Sequence, residues 1–209
     1  MASSHPNDDL ILEFASGNLE SSIGLLMACH IDTCEQCQKK MAAFEEVGGK
    51  LLETIEVSMP SSNLFERIEA QLDALEESEA SIGSIDPLAA LDSTHSDVPA
   101  PLREFLPAQM SHIEWEGSSE LRRKPLDMID TDFQIALFEM PVGGSITEHT
   151  HDGDEYVVVL QGGYQDQSGS YGVGDFIFSD STVTHHPKSL PGLNCIFLSV
   201  LSGPLKFTT

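Results

Sequence analysis

The stretch GGSITEHTHDGDEYVVVLQG, residues 143–162, decides the fold of the C-terminal half of the chain. Side chains alternate between the two faces of a β-strand, so His149 and His151 lie on the same face. A turn at residues 152–154 then brings Glu155 back to that face, and all three side chains can aim into the interior of a barrel. Two imidazoles and a carboxylate suit Zn, Fe, Mn or Ni. The stretch therefore predicts a transition-metal site within β-structure.

The residues around this stretch have the pattern of short strands. β-rich segments at residues 133–138, 156–160, 176–178 and 195–201 are separated by Gly, Asp, Ser or Pro turns. This pattern predicts an antiparallel β-sandwich or barrel.

The pattern G-x5-H-x-H-x3-E-x6-G, from residue 143 to residue 162, resembles the first signature of the cupin proteins with no departure in spacing. The second cupin signature is looser, because Asp180 and Thr182 stand where that family usually has Pro and Gly. In this signature Gly174 and Asp175 open a strand, and His185 supplies the expected last ligand, for which the adjacent His186 could substitute. The resemblance implies a jelly-roll barrel that holds a second divalent metal, Zn or another transition metal. The implied ligands of that metal are His149, His151, Glu155 and His185.

A second ligand pattern, H-x3-C-x2-C, occurs near the N-terminus and consists of His30, Cys34 and Cys37. Near a helix start, these spacings place the three side chains on one side of the backbone. A structural zinc site needs four tetrahedral ligands, and His5 is the only other histidine before residue 80, so it is predicted as the fourth. Such a closed site stabilises a small domain and leaves no position for catalysis. Cys29 would point off the ligand face and is predicted to be a core residue.

Two alternatives remain for these cysteines. They could be buried core thiols, or they could form a redox-active C-x-x-C pair. The redox alternative is the weaker of the two, because thioredoxin-type motifs follow a strand in a βαβ unit that this sequence lacks.

Apolar spacing predicts four helices within residues 1–80. The first follows a cap at Asn7 and ends at Gly17, the third ends at Gly48-Gly49, and the fourth opens near Leu64. The fourth helix is acidic and amphipathic. Such an apolar stripe packs into its own domain more often than it forms an interface. The stripe consists of Leu64, Ile68, Leu72 and Leu75.

The predicted fold is multidomain, α plus β. A small helical zinc-binding domain spans residues 1–80, a linker spans 81–109, and an antiparallel barrel of jelly-roll type spans 110–209. The linker is rich in Ser, Ala, Asp and Pro and is expected to have little structure of its own. His95 in the linker and His112 before the barrel have no partner at ligand spacing and are predicted to be surface residues.

The formal net charge of −24 limits the classes of partner that the chain can bind. Such a surface repels phosphate backbones and anionic lipids, so we expect no direct binding to nucleic acid or to membranes. It suits a basic protein partner, although acidity also serves plain solubility. No leader sequence and no apolar membrane span is recognised, and we therefore expect a cytoplasmic protein. In that compartment the cysteines are expected to be thiols or metal thiolates rather than disulfides. The oligomeric state stays open.

The whole chain resembles the ChrR-type anti-sigma factors, and residues 1–80 resemble the zinc-binding anti-sigma domain whose signature is H-x3-C-x2-C. The resemblance implies that an extracytoplasmic-function sigma factor is the partner and is kept away from core RNA polymerase. It also implies that a cupin-like domain triggers release on a stress signal such as singlet oxygen. The implied zinc ligands are His5, His30, Cys34 and Cys37. Acidic residues outnumber basic ones by 16 to 4 in the first 80 positions, which favours electrostatic steering towards a basic sigma factor. The acidic fourth helix is therefore a candidate for part of the sigma-binding surface.

The sequence shows no general base beside a substrate pocket, and we predict that the chain is not an enzyme. Glu148 and Tyr156 flank the predicted metal site but define no reaction. Two alternatives remain. One is a cupin dioxygenase with a non-haem iron and an accessory helical module, and the other is a metal sensor without a sigma partner.

Overall fold

The computed structural model describes residues 2–79, 96–128 and 132–207, with the backbone alone for residues 74–79. The N-terminal part of these ranges is helical and the C-terminal part is β-structure, as predicted. The helices are α1 (Asp8–Ala15), α2 (Ser21–Thr33), α3 (Glu35–Glu53) and α4 (Leu64–Glu79). The strands are β1 (Glu116–Gly117), β2 (Arg122–Pro125), β3 (Gln134–Met140), β4 (His149–His151), β5 (Glu155–Gln161), β6 (Gly163–Gln165), β7 (Ser170–Gly172), β8 (Phe176–Ser179), β9 (Thr184–His185), β10 (Lys188–Ser189), β11 (Cys195–Leu201) and β12 (Leu205–Phe207).

The helix ends follow the predicted signals with one exception. The side chain of Asn7 accepts a hydrogen bond from the Leu10 amide at 2.8 Å and caps α1, and Gly17 follows that helix with φ +70°. The predicted end of α3 at Gly48-Gly49 is wrong, because the helix continues to Glu53. Neither glycine adopts a positive φ, and a glycine in helical conformation costs about 1 kcal/mol without breaking the hydrogen-bond ladder.

All strand pairs are antiparallel, and they form one large sheet and two small ones. The large sheet has the order β1-β2-β3-β11-β5-β8. The small sheets have the orders β10-β6-β7 and β12-β4-β9. The predicted antiparallel barrel of cupin type is confirmed.

The large sheet is buried on both faces at its central strand, β11. Every residue of β11 is buried. On one face, Cys195 and Phe197 pack with Tyr164 in the core of the barrel. On the other face, Leu198 and Val200 belong to the same apolar cluster as the helical residues. The helices therefore pack directly on the barrel.

Residues 96–113 contribute buried apolar side chains to this shared core, which differs from the expectation of an unstructured linker. Two short 3-10 helices, Ala100–Leu102 and Met110–His112, occur in this segment. Val98, Leu102 and Leu106 are buried, and their four-residue spacing was hidden among prolines in the sequence. Residues 80–95, including His95, lie outside the described residues, so the proposed boundaries at 80 and 109 stay predictions.

Candidate metal centres

The first centre gathers four side chains from the N-terminal helices. His5 precedes α1, His30 lies in the last turn of α2, Cys34 joins α2 to α3, and Cys37 lies in the first turn of α3. The four potential ligand atoms all lie within 4.8 Å of one another. The sharp turn between α2 and α3 is what brings the imidazole of His30 over the two thiols.

The distances in this centre match the edges of a tetrahedral zinc site. The Nδ1 atom of His5 lies 3.4 Å from the Cys34 Sγ and 3.6 Å from the Cys37 Sγ. The Nε2 atom of His30 lies 3.2 Å from the Cys37 Sγ. Zinc–nitrogen and zinc–sulfur bonds of about 2.0 and 2.3 Å in tetrahedral geometry place neighbouring ligand atoms roughly 3.3–3.8 Å apart. These three distances therefore fit a tetrahedral zinc site.

The tautomer of His30 also favours a cation here. The Nδ1 atom of His30 faces the carbonyl oxygen of Gly174 at 2.7 Å, and a carbonyl only accepts hydrogen bonds, so Nδ1 donates and Nε2 keeps its lone pair for a metal. Burial and the neighbouring Cys34 raise the pKa of the Cys37 thiol to about 12. A bound zinc ion reverses this trend, because it stabilises the thiolate directly.

The second centre lies inside the barrel, where β4, β5 and β9 meet. His149 and His151 come from β4, Glu155 begins β5, and His185 ends β9 directly opposite His149 in the strand register. All four residues are buried, and their ligand atoms lie within 4.8 Å of one another. The Nε2 atoms of His149 and His185 are 3.1 Å apart, and the His151 Nε2 is 3.0 Å from a Glu155 oxygen.

The hydrogen bonds around these histidines make the centre suited to a cation. The Nδ1 atom of His149 faces the Thr147 carbonyl at 2.8 Å, and the Nδ1 atom of His185 faces the Asp166 carboxylate at 3.1 Å. Both Nδ1 atoms therefore donate, which leaves two Nε2 lone pairs directed at each other. A metal ion between them would remove this repulsion, and two or three imidazoles with one carboxylate suit several transition metals.

The carboxylate of this centre is held in its charged form. Burial alone would raise the pKa of Glu155, but contacts with His151 and a hydrogen bond from the Ser199 hydroxyl at 2.9 Å bring that pKa below its ordinary value. Ser199 and Asp166 were missed by the sequence analysis. Ser199 lies in an apolar strand and Asp166 in a turn, and neither has a recognisable spacing to the ligands.

Among the described residues, the histidines His112 and His186 belong to neither cluster. His186 is exposed and donates its backbone N–H to Gln167, so His185 is the residue that joins the barrel cluster. His112 is exposed. Tyr156 follows Glu155 on the opposite face of β5 and borders a cavity with residues 4–7, so it does not flank the metal cluster as expected.

Little space exists beside the barrel cluster. The cavity that His149, Glu155 and His185 border with apolar side chains measures about 20 Å³. One water molecule needs roughly 10–15 Å³ of such volume, whereas pockets for organic ligands measure about 300–1,000 Å³. The described cavity has no room for an organic substrate.

A third feature is an exposed apolar surface on the C-terminal part of α3, the following loop and α4, here called the α3–α4 surface. Within residues 54–73 every described side chain is exposed. The alternative that the stripe of α4 packs into its own domain is therefore wrong for the described side chains. The large apolar side chains of this surface are Val47, Leu51, Leu52, Ile55, Val57, Met59, Leu64, Phe65, Ile68 and Leu72.

Comparisons with known proteins agree with this architecture. The family described as ChrR Cupin-like domain matches residues 105–205. The anti-sigma-E factor ChrR of Cereibacter sphaeroides is 28% identical over 205 residues, which cover 98% of this chain and 92% of that protein. The crystal structure of Rhodobacter sphaeroides SigE in complex with the anti-sigma ChrR matches with a TM-score of 0.78 at 27% identity, over 96% of this chain and 99% of that one. Among the described residues, no helix is long and apolar enough to cross a membrane.

Proposed function

We infer that this chain is a ChrR-type anti-sigma factor, and that it sequesters an extracytoplasmic-function sigma factor through its N-terminal helical domain. The observation that carries this function is the α3–α4 surface, an exposed apolar face on the helical part of the chain, whose α3 also contributes Cys37 to the cysteine-histidine cluster. Large exposed apolar patches mark sites of protein association. Similarity to ChrR over nearly the whole chain supports the same partner class. It also agrees with a regulator rather than an enzyme.

The charge of the helical domain supports a basic partner. Sixteen acidic residues against four basic ones in the first 80 positions create a negative potential around the α3–α4 surface. Sigma factors bind DNA and are basic, so complementary potentials would raise the association rate and discriminate against acidic proteins. The apolar side chains would then supply most of the affinity.

Each metal centre has a separate role in this proposal. The N-terminal centre holds a structural zinc with His5, His30, Cys34 and Cys37, because four ligands leave no open position. The barrel centre holds a second divalent metal, zinc or another transition metal, with His149, His151, Glu155 and His185. The barrel receives a stress signal such as singlet oxygen and weakens the hold on the sigma factor. The cavity of about 20 Å³ supports a sensing role over a dioxygenase.

We place this function in the cytoplasm, where the sigma factor meets RNA polymerase.

Size-exclusion chromatography with metal analysis tests the proposal. The full-length chain would be mixed with the sigma factor encoded beside its gene. We expect a 1:1 complex that contains two metal ions per anti-sigma chain. Separate elution of the two proteins at micromolar concentration would rule out sequestration.

Loss of the barrel centre is expected to uncouple signalling from sigma binding. His149→Ala or His185→Ala removes one ligand, so metal content should fall by one ion per chain while the sigma complex remains. Light-generated singlet oxygen should then fail to release the sigma factor, as measured by a transcription assay in vitro. His186→Ala is the matched control for His185→Ala, because His186 is exposed and lies outside the cluster. Loss of sigma binding in the His149 variant would contradict separate roles for the two centres.

A further inference from the structure

We propose that the turn Gly174–Phe176 of the barrel positions both histidine ligands of the N-terminal metal centre through hydrogen bonds, without being a ligand itself. This inference rests on the proposed zinc site and goes beyond sigma sequestration. It makes metal retention in the helical domain depend on docking to the barrel. The turn runs into β8, whose first residue is Phe176 and which is the edge strand of the large sheet.

The first contact fixes His30. Its Nδ1 atom donates to the Gly174 carbonyl at 2.7 Å, across 144 residues of sequence. The ring of Phe176 packs against the same imidazole edge-to-face, with the centroids 5.9 Å apart. Hydrogen bonds to the distal nitrogen of a metal-bound histidine set its tautomer and orientation and raise its basicity. The partner that does this for His30 belongs to the barrel and not to the helices.

The second contact fixes the segment that carries His5. The Asp175 carboxylate accepts hydrogen bonds from the backbone amides of Ser3 and Ser4 and from the Ser3 hydroxyl. Ser4 pairs with Phe176 in both directions, since its carbonyl accepts from the Phe176 amide at 3.0 Å and its hydroxyl donates to the Phe176 carbonyl at 2.7 Å. A terminal segment without such contacts is poorly ordered, so His5 would lose its fixed position.

The backbone of the turn is shaped for this close approach. Gly174 has φ +87°, and a Cβ atom there would lie 3.2 Å from the Thr33 hydroxyl of α2 and 3.6 Å from the Ala2 side chain. Asp175 also accepts the Gly172 amide at 2.8 Å, which ties the carboxylate to the barrel itself. The turn thus lies between the N-terminal segment and α2, the two elements that supply the histidine ligands.

Two of the four ligands of the N-terminal centre are therefore positioned by the barrel. The two thiols come from α3 and its junction with α2 and have no such support in the described contacts. If the barrel turn moves away, the thiols remain but both imidazoles lose their orientation. Metal affinity of the N-terminal centre should then fall although no ligand has changed.

Cobalt(II) binding to the full-length protein tests this inference. Cobalt bound to thiolates has a sulfur-to-metal charge-transfer absorption, which the barrel centre cannot produce because it contains no cysteine. In competition with a chelator, Asp175→Ala should lower cobalt affinity at the thiolate site by about 10- to 100-fold. Asp175→Asn should restore part of the affinity, because its side-chain oxygen still accepts from Ser3 and Ser4. The matched control is Asp152→Ala, which removes an exposed carboxylate that pairs with Lys206.

A double variant protects the test against general unfolding of the barrel. Ser3→Ala with Ser4→Ala removes two hydroxyl contacts and leaves the Asp175–Gly172 hydrogen bond intact, so a smaller loss in the same direction is expected. Equal cobalt affinity in Asp175→Ala, the double variant and Asp152→Ala would overturn the inference. That result would not bear on the proposal that the chain sequesters a sigma factor. Absence of the charge-transfer absorption in the unmodified protein would overturn both the inference and the N-terminal zinc site, independently of sigma binding.

Discussion

Replacement of Cys34 or Cys37 by serine is expected to abolish sigma binding and to remove one metal ion per chain. Each cysteine supplies one of four ligand atoms in the N-terminal centre, and serine is a poor ligand for zinc. In small zinc domains the metal contributes about 10–16 kcal/mol to folding, which equals or exceeds the total stability of about 5–15 kcal/mol of a typical domain. Loss of the metal should therefore disorder the junction of α2 and α3.

The large effect is expected because the ligands are themselves buried residues of this junction, while the C-terminal half of α3 is exposed. Without zinc, α2 and the start of α3 keep the hydrogen bond from the Gln38 side chain to the Ile31 carbonyl at 2.7 Å but lose the link through the four ligands. The α3–α4 surface then loses its fixed position. We expect loss of helical circular dichroism and no detectable complex on a sizing column.

Cys29→Ala is the matched control for these variants. Cys29 lies on the same helix as His30 and is buried, but its thiol belongs to the apolar core and not to the metal cluster. Burial raises the pKa of the Cys29 thiol to about 12, with a smaller contribution from Asp32, so this thiol stays protonated at neutral pH. The variant should keep two metal ions and the sigma complex. A Cys37→Ser protein that still bound the sigma factor would show that zinc is not needed for the grip.

Local spacing explains why the clustering of the candidate ligands could be predicted. His149, His151 and Glu155 lie within seven residues, and strand alternation with one turn suffices to bring them together. The same holds for His30, Cys34 and Cys37 at the junction of two helices. The structure brings all eight predicted ligands into two clusters, including the more distant His5 and His185.

The contacts that support those ligands could not be predicted, because they connect residues that are far apart in sequence. Asp166 and Ser199 orient ligands from a turn and an apolar strand, and Asp175 holds Ser3 and Ser4 across more than 170 residues. Secondary-structure propensities depend on residues that are close in sequence, so they do not predict such pairs. The same reason explains the error about the linker, since Val98 and its neighbours are buried only because the helices dock on the large sheet.

The α3–α4 surface leads to the second large effect, which is expected for Leu72→Glu. Leu72 is 54% exposed, so the free energy of unfolding should change by less than about 0.5 kcal/mol. Sigma affinity should fall by about 30-fold or more, because an apolar contact at the centre of an interface is worth about 2 kcal/mol or more. Titration calorimetry of the full-length protein against the sigma factor measures this loss.

The choice of substitution separates apolar contact from charge. Glutamate keeps helix propensity and adds negative charge, which by steering alone would strengthen binding to a basic partner. A loss of affinity must therefore come from the apolar contact. Leu193→Glu is the matched control, since Leu193 is 62% exposed on the barrel, far in sequence from the α3–α4 surface, and should bind the sigma factor like the unmodified chain. If both variants bind the sigma factor equally well, α4 is not part of the sigma-binding surface, and that surface lies elsewhere on the helical domain.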